Sequence, residues 1–283
     1  MIIDAVMDSF IDSIKLLPFL FLTYLAMEYL EHKAGQRMQE SIRSAGAGGP
    51  AIGSVLGVFP QCGFSTVASN LYAGRIITMG TLLAVFLSTS DEMLPIMISE
   101  NVGAVVILKI LAVKVAVALA AGFAVDLLLG KKQRQMQIGH LCEQHHCHCE
   151  NGIWKSALHH TVEIFLYIMV LSFTLNLLIG WIGEDAISSL FLNRPVVGEL
   201  FAALVGMIPN CASSVAITQL YLNGVLSAGA MISGLLAGSG VGLLVLFRVN
   251  DDQKENIKIL GLLYGIGVSG GIVVNWLGIG FYS

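Results

Sequence analysis

Two short motifs carry the side chains best suited to chemistry. Pro60-Gln61-Cys62-Gly63-Phe64-Ser65 and Pro209-Asn210-Cys211-Ala212-Ser213-Ser214 each set a soft thiol beside a carboxamide, with a hydroxyl (Ser65, Ser214) following. Both lie in apolar surroundings, where polar groups usually line a substrate path. The proline of each motif lacks the N–H that helix continuation needs and opens the ladder there. Each motif therefore reads as a break between two half-helices. The half-helix starting after the cysteine presents N–H groups, which suit anions, and the one ending before the proline presents carbonyls, which suit cations. Dipoles alone leave both ligand classes open. Gln61, Cys62, Ser65, Asn210, Cys211 and Ser214 form the expected substrate-binding set, with Pro60 and Pro209 as the breaks.

Two further clusters bear on chemistry. Asp91-Glu92 follows Ser88-Thr89-Ser90 inside an apolar run, at about the depth of Lys109 on the next antiparallel segment, while Lys114 lies deeper. These four residues read either as buried ion pairing between spans or as cation ligands and proton-coupling groups. The segment from His140 to Cys149 holds His140, Cys142, His145, His146, Cys147, His148 and Cys149. Imidazole and thiolate together suit zinc, copper and other borderline or soft ions. Their spacing is too tight for a zinc finger, so a flexible collecting or sensing tract fits better than a structural metal site.

The elements that must position these groups are written twice. At an offset of 149 positions, Gly57 meets Gly206, Pro60 meets Pro209, Cys62 meets Cys211, Gly80 meets Gly229, Ser90 meets Ser239, Lys109 meets Lys258, Gly122 meets Gly271, and Asp126 meets Asn275. Apolar composition produces chance matches of leucine to leucine, but it does not align two of only five cysteines, each preceded by proline and a carboxamide. An internal repeat with paired interruptions in its hydrophobic segments points to a secondary transporter.

Composition sets the medium. Over 283 residues, 55% are hydrophobic and 12% charged, and the mean hydropathy is +0.79, far from soluble usage. Apolar runs at 11–31, 76–98, 103–129, 160–182, 225–247 and 257–279 are each long enough to cross about 30 Å of hydrocarbon. The expectation is an all-α polytopic protein of the cytoplasmic membrane, with the lipid bilayer and a small ion as partners and no required cofactor. A homo-oligomer is compatible with this reading. The net charge of −4 gives no reason to invoke nucleic acid. Met1-Ile2-Ile3-Asp4 lacks a basic n-region, so no cleaved signal is expected.

Charge and parity predict the topology. Lys33, Arg37 and Arg43 in one loop and Lys131, Lys132 and Arg134 in another both belong on the cytoplasmic side. Three crossings between them would separate them. The conflict disappears if 50–73 enters and returns on one side as a re-entrant hairpin with its tip at Pro60-Gln61-Cys62. Each half then has three full spans and one hairpin, and the odd number of spans inverts the second half. Both termini face outward, and 32–49, 130–157 and 248–256 face the cytoplasm. The rival reading makes 50–73 and 199–222 ordinary kinked spans, giving eight crossings. The expected units are repeat 1 (1–130), a His/Cys-rich linker (131–157) and an inverted repeat 2 (158–283).

Through Phe59-Pro60-Gln61-Cys62-Gly63-Phe64-Ser65 and its echo Ile208-Pro209-Asn210-Cys211-Ala212-Ser213-Ser214, the chain resembles the ten-transmembrane heavy-metal exporter family, also labelled arsenical efflux permeases or manganese transporters. The similarity covers essentially the whole chain, and ten segments equal six spans plus four half-helices. The resemblance implies efflux of a manganese or arsenical species by alternating access. Arsenite normally takes three thiolates and the membrane core offers two; manganese takes oxygen ligands, which Asp91, Glu92, Gln61 and Asn210 can supply. Uptake of a small sulfur-containing anion and a membrane-bound metal sensor using the His/Cys tract are the alternatives. No nucleophile–base pair or closed three-ligand metal site suggests an enzyme.

Overall fold

A computed structural model describes residues 48–59, 62–90, 93–129, 196–209 and 211–281, together with scattered positions within 17–25 and 154–173. The backbone alone is described at Cys62, Cys211 and Ala212. The expectations placed on 1–16, the linker 130–153, Gln61 and Asn210 fall outside these residues.

The five longest stretches form ten helices. In the first half, α1 is Gly49–Leu56, α2 Cys62–Ala73, α3 Met79–Ser88, α4 Met93–Ser99 and α5 Ala104–Leu128. In the second, α6 is Val197–Gly206, α7 Cys211–Leu222, α8 Ala228–Ala237, α9 Gly242–Val249 and α10 Gln253–Trp276. Each helix of the second half starts within two residues of the position that the 149-residue offset assigns to it. No strand occurs among the described residues.

Local signals recur at the same register. Thr78 caps α3 by accepting the Thr81 N–H, and Ser227 caps α8 by accepting that of Ala230. These hydroxyls satisfy donors that a helix start leaves orphaned. Past α2, Arg75 (φ 59°) closes a Schellman turn, its N–H donating to the Tyr72 carbonyl and that of Ile76 to Leu71. Past α7, Gly224 (φ 74°) does the same, with bonds to Tyr221 and, through Val225, Leu220.

Packing repeats as well. In the first half α1, α3 and α5 contact one another, as do α6, α8 and α10 in the second. The halves then exchange arms: α2 packs on α9 and α7 on α4, while α3 and α8 meet between them. Residues 80–88 of α3 and 229–237 of α8 are all buried, which is why both helices read as hydrophobic all round. The outer helices α5 and α10 instead expose Leu108, Leu127, Leu128, Ile257 and Trp276. An apolar rim of this kind belongs in lipid, where every backbone group must be satisfied inside a helix or by the bundle. Among the described residues, four apolar segments are long enough to cross a membrane: 79–99, 104–128, 228–249 and 253–276.

Two glycine pairs set the spacing within each half. A Cβ on Gly80 would lie 2.2 Å from the Gly122 carbonyl oxygen, and one on Gly122 would lie 2.8 Å from that of Gly80. Gly229 and Gly271 repeat the arrangement at 2.6 and 2.5 Å. Backbones this close leave no room for any side chain.

Two of the expected spans carry an interruption. The runs 76–98 and 225–247 are not uninterrupted spans. Each is two helices, α3–α4 and α8–α9, separated by a non-helical segment that begins at Thr89 or Gly238. The physical reason is local. Ser88, Thr89 and Ser90 turn their hydroxyls back onto carbonyls of the last turn of α3, competing with helix continuation. The second half uses Gly238-Ser239-Gly240, with Gly240 at φ 55°.

Candidate functional site

The breaks converge on one cavity. It is about 10 Å³, room for a single water-sized sphere. Thr89, Ser90 and Met93 line it from the first half. Gly206 at the end of α6, Ser213 and Ser214 in the first turn of α7, and Gly234, Gly238 and Gly240 line it from the second. The α6–α7 turn and both interrupted segments thus contribute to the same space.

The second motif builds its share as the sequence suggests. Helix α6 ends at Gly206, Pro209 occupies the turn, and α7 restarts at Cys211. Ser213 Oγ reaches back 3.2 Å to the Ile208 carbonyl, tying the turn to the new helix. The first motif restarts in the same way, with α2 beginning at Cys62. Its Ser65 is fully buried against α9 and does not line the cavity: a Cβ on Gly242 would lie 2.7 Å from the Ser65 Cβ. Ser69 Oγ holds that contact, 2.9 Å from the Ser65 carbonyl oxygen and 2.7 Å from that of Gly242.

A buried lysine stands at the first break. Lys114, on α5, is 0% exposed and donates to the Thr89 carbonyl. An ammonium placed at a helix C-terminus meets the partial negative charge of its unsatisfied carbonyls. Lys109, five residues earlier, is exposed. The lysine that reaches the break is therefore Lys114. Asp91, Glu92 and Pro60 lie outside the described residues, as do all seven His and Cys residues assigned to the linker. Among the described residues no group of three or more His, Cys, Asp or Glu could hold a metal.

Sequence reasoning missed the lining roles of Thr89, Ser90, Ser213, Gly238 and Gly240. The signal was present, since Ser90 and Ser239 match across the repeat, but both were placed inside continuous spans. It also missed Glu199, in the first turn of α6, which is 1% exposed with Oε1 unpartnered.

A polar network closes one end of the bundle. Arg75 Nη1 lies 2.7 Å from Glu255 Oε2, and Nη2 lies 3.3 Å from Asn250 Oδ1. Asn250 Nδ2 donates to Asn256 Oδ1 at 2.6 Å, and Asn256 returns a 2.9 Å bond to the Asn250 carbonyl. The guanidinium also sits 5.4 Å from the centre of the Tyr72 ring. The turn after α2 is thereby fastened to the α9–α10 connection of the other half.

Among the described residues, four apolar segments of membrane-spanning length and the interrupted helices between them define a polytopic membrane protein. The chain belongs to the family described as "Putative, 10TM heavy-metal exporter", whose model matches residues 1–184. That match covers the first five helices, the linker and the start of the second half. No curated protein and no solved structure matches the chain.

Proposed function

We propose that this protein exports a heavy-metal or metalloid ion across the cytoplasmic membrane by alternating access, with manganese or an arsenical as the substrates that the family resemblance favours. The observation that carries the reading is the convergence of the α6–α7 turn and both interrupted segments on one ion-sized cavity. Space for a single sphere suits a bare ion better than thiosulfate or another extended anion. Thr89, Ser90, Ser213 and Ser214 supply oxygens, and Cys62 and Cys211 head the two hairpin arms as soft ligands. Gln61, Asn210, Asp91 and Glu92 complete the ligand set, and the His/Cys tract at 140–149 collects the ion from the cytoplasm. A flux panel in proteoliposomes covering Mn²⁺, Zn²⁺, Fe²⁺, arsenite and thiosulfate tests this. Movement of a metal or arsenite, retained when residues 140–150 are deleted, is the expected result; no flux of any of these species would sink it.

In this reading the two halves are inverted repeats and the paired arms α1–α2 and α6–α7 are re-entrant hairpins. The Arg75–Glu255 contact supports it. If 50–73 and 199–222 were ordinary spans, five crossings would separate residue 75 from residue 255, putting them on opposite sides of about 30 Å of hydrocarbon. With hairpins, four crossings separate them and both face the cytoplasm, compatible with their 2.7 Å approach. Single cysteines introduced at positions 33 and 75, in a chain lacking its native thiols, should be labelled from the same side. Labelling from opposite sides would remove the hairpins.

A further inference from the structure

Helices α3 and α8 both end at the cavity, yet among the described residues a lysine reaches only one of these ends. Helices α3 and α8 stop at equivalent residues in similar extended conformations, Thr89 (φ −52°, ψ 127°) and Gly238 (φ −74°, ψ 104°). Each stop leaves carbonyls without helical donors and about half a negative charge. At α3 that demand is met. Ser88 and Thr89 hydroxyls bond Ala84 and Val85, Ser90 Oγ bonds the Ser88 carbonyl at 3.0 Å, and the Lys114 ammonium bonds that of Thr89.

At α8 the equivalent devices are missing. Alanine and glycine stand at 237 and 238, and buried Leu263 occupies the position of Lys114. Among the described residues, the bonds made to carbonyls here are Gly238 N–H to Gly234 (3.0 Å) and Gly242 N–H to Ser239 (3.2 Å). Ser239, the counterpart of Ser90, is 1% exposed and its hydroxyl has no partner. A buried hydroxyl without a partner calls for a ligand. Its two chain neighbours, Gly238 and Gly240, line the cavity.

We propose that the end of α8 binds a monovalent alkali cation where the end of α3 holds the Lys114 ammonium. The available donors are neutral carbonyl and hydroxyl oxygens, the set that replaces the hydration shell of an alkali ion. Divalent ions ordinarily draw on carboxylates, and the described residues at the end of α8, 235–242, supply none. The cavity holds one sphere, so the alkali cation and the exported ion would occupy it in turn; that exchange rests on the transporter reading, while the binding of the cation does not.

The test uses the full chain in lipid nanodiscs, with NaCl replacing choline chloride at constant ionic strength. Bound ²²Na⁺ is counted and unfolding is followed by tryptophan fluorescence. Wild type should bind Na⁺ saturably, with a parallel rise in Tm of a few degrees. Leu263→Lys should abolish both responses by tethering an ammonium in the site, whereas Leu263→Met should keep them. Absence of a saturable Na⁺ response in wild type, or an unchanged one in Leu263→Lys, overturns the proposal. Should Leu263→Lys not fold, Ser239→Ala decides: a several-fold increase in half-saturating Na⁺ is expected, and no change overturns the site. Because Na⁺ binding is read without flux, its failure leaves metal export standing, and a silent flux panel leaves the cation site standing.

Discussion

Cys62→Ala and Cys211→Ala should each lower metal or arsenite flux by about tenfold to a hundredfold, with the folded and inserted protein recovered in normal amount. The cysteines head α2 and α7 at matched positions of the two halves, and a thiolate is the strongest soft ligand either motif offers. If both serve one ion, the double mutant should lose less, in free energy, than the two single losses added together. Once one arm of a two-armed site is gone, the other holds the ion poorly and has little left to lose. Thiols that only fill space would cost about 1–2 kcal/mol of stability and leave flux intact. Initial rates for the wild type, both single mutants and the double mutant decide the matter. Additive losses, or full activity in the double mutant, would move the site to Asp91 and Glu92.

The second large effect is on folding. Gly80→Ala should lower the yield of folded protein and its Tm, because the new Cβ would sit 2.2 Å from the Gly122 carbonyl oxygen and 2.5 Å from the Asp126 carboxylate. Gly206→Ala should do the same, with its Cβ 2.0 Å from the Gly234 carbonyl oxygen. Backbone cannot rotate away as the tip of a side chain can, so whole helices must separate. Overpacking of this kind costs about 1–3 kcal/mol and sometimes more. The control has the opposite sign. Gly261 and Gly265 on α10 have nothing within 4 Å of a new Cβ, and alanine there gains about 1 kcal/mol of helix propensity. Thermal unfolding of all four variants in one detergent makes the comparison. A Gly80→Ala protein melting with the Gly261→Ala protein would refute the close approach.

Much of this protein was legible before any coordinates. Hydropathy identified a membrane-spanning chain because apolar runs of this length have no other stable place. The matched Pro-Gln-Cys and Pro-Asn-Cys motifs located helix breaks, because proline removes an N–H wherever it falls; α2 and α7 duly restart at Cys62 and Cys211. Matching glycines at 80 and 229, and at 122 and 271, entered only as marks of the repeat; the structure shows that Gly80 faces the Gly122 backbone and Gly229 that of Gly271.

Tertiary structure decided the rest. Ser88-Thr89-Ser90 and Gly238-Ser239-Gly240 sit within runs whose average hydropathy still reads as continuous span, since a few small polar residues barely lower a long apolar mean. Whether they interrupt a helix depends on what receives the freed carbonyls, and at Thr89 that is Lys114, 25 residues away on another helix. The choice of Lys114 over Lys109 was equally out of reach, because both lie on α5 and only the packing of α3 against it buries one and exposes the other. The ion pair between Arg75 and Glu255 joins residues 180 positions apart. A local pattern can state that a helix breaks; the group that answers it at Thr89 is fixed by α3 packing on α5 within one half, and the Arg75–Glu255 pair forms only when the halves exchange their arms, α2 onto α9 and α7 onto α4.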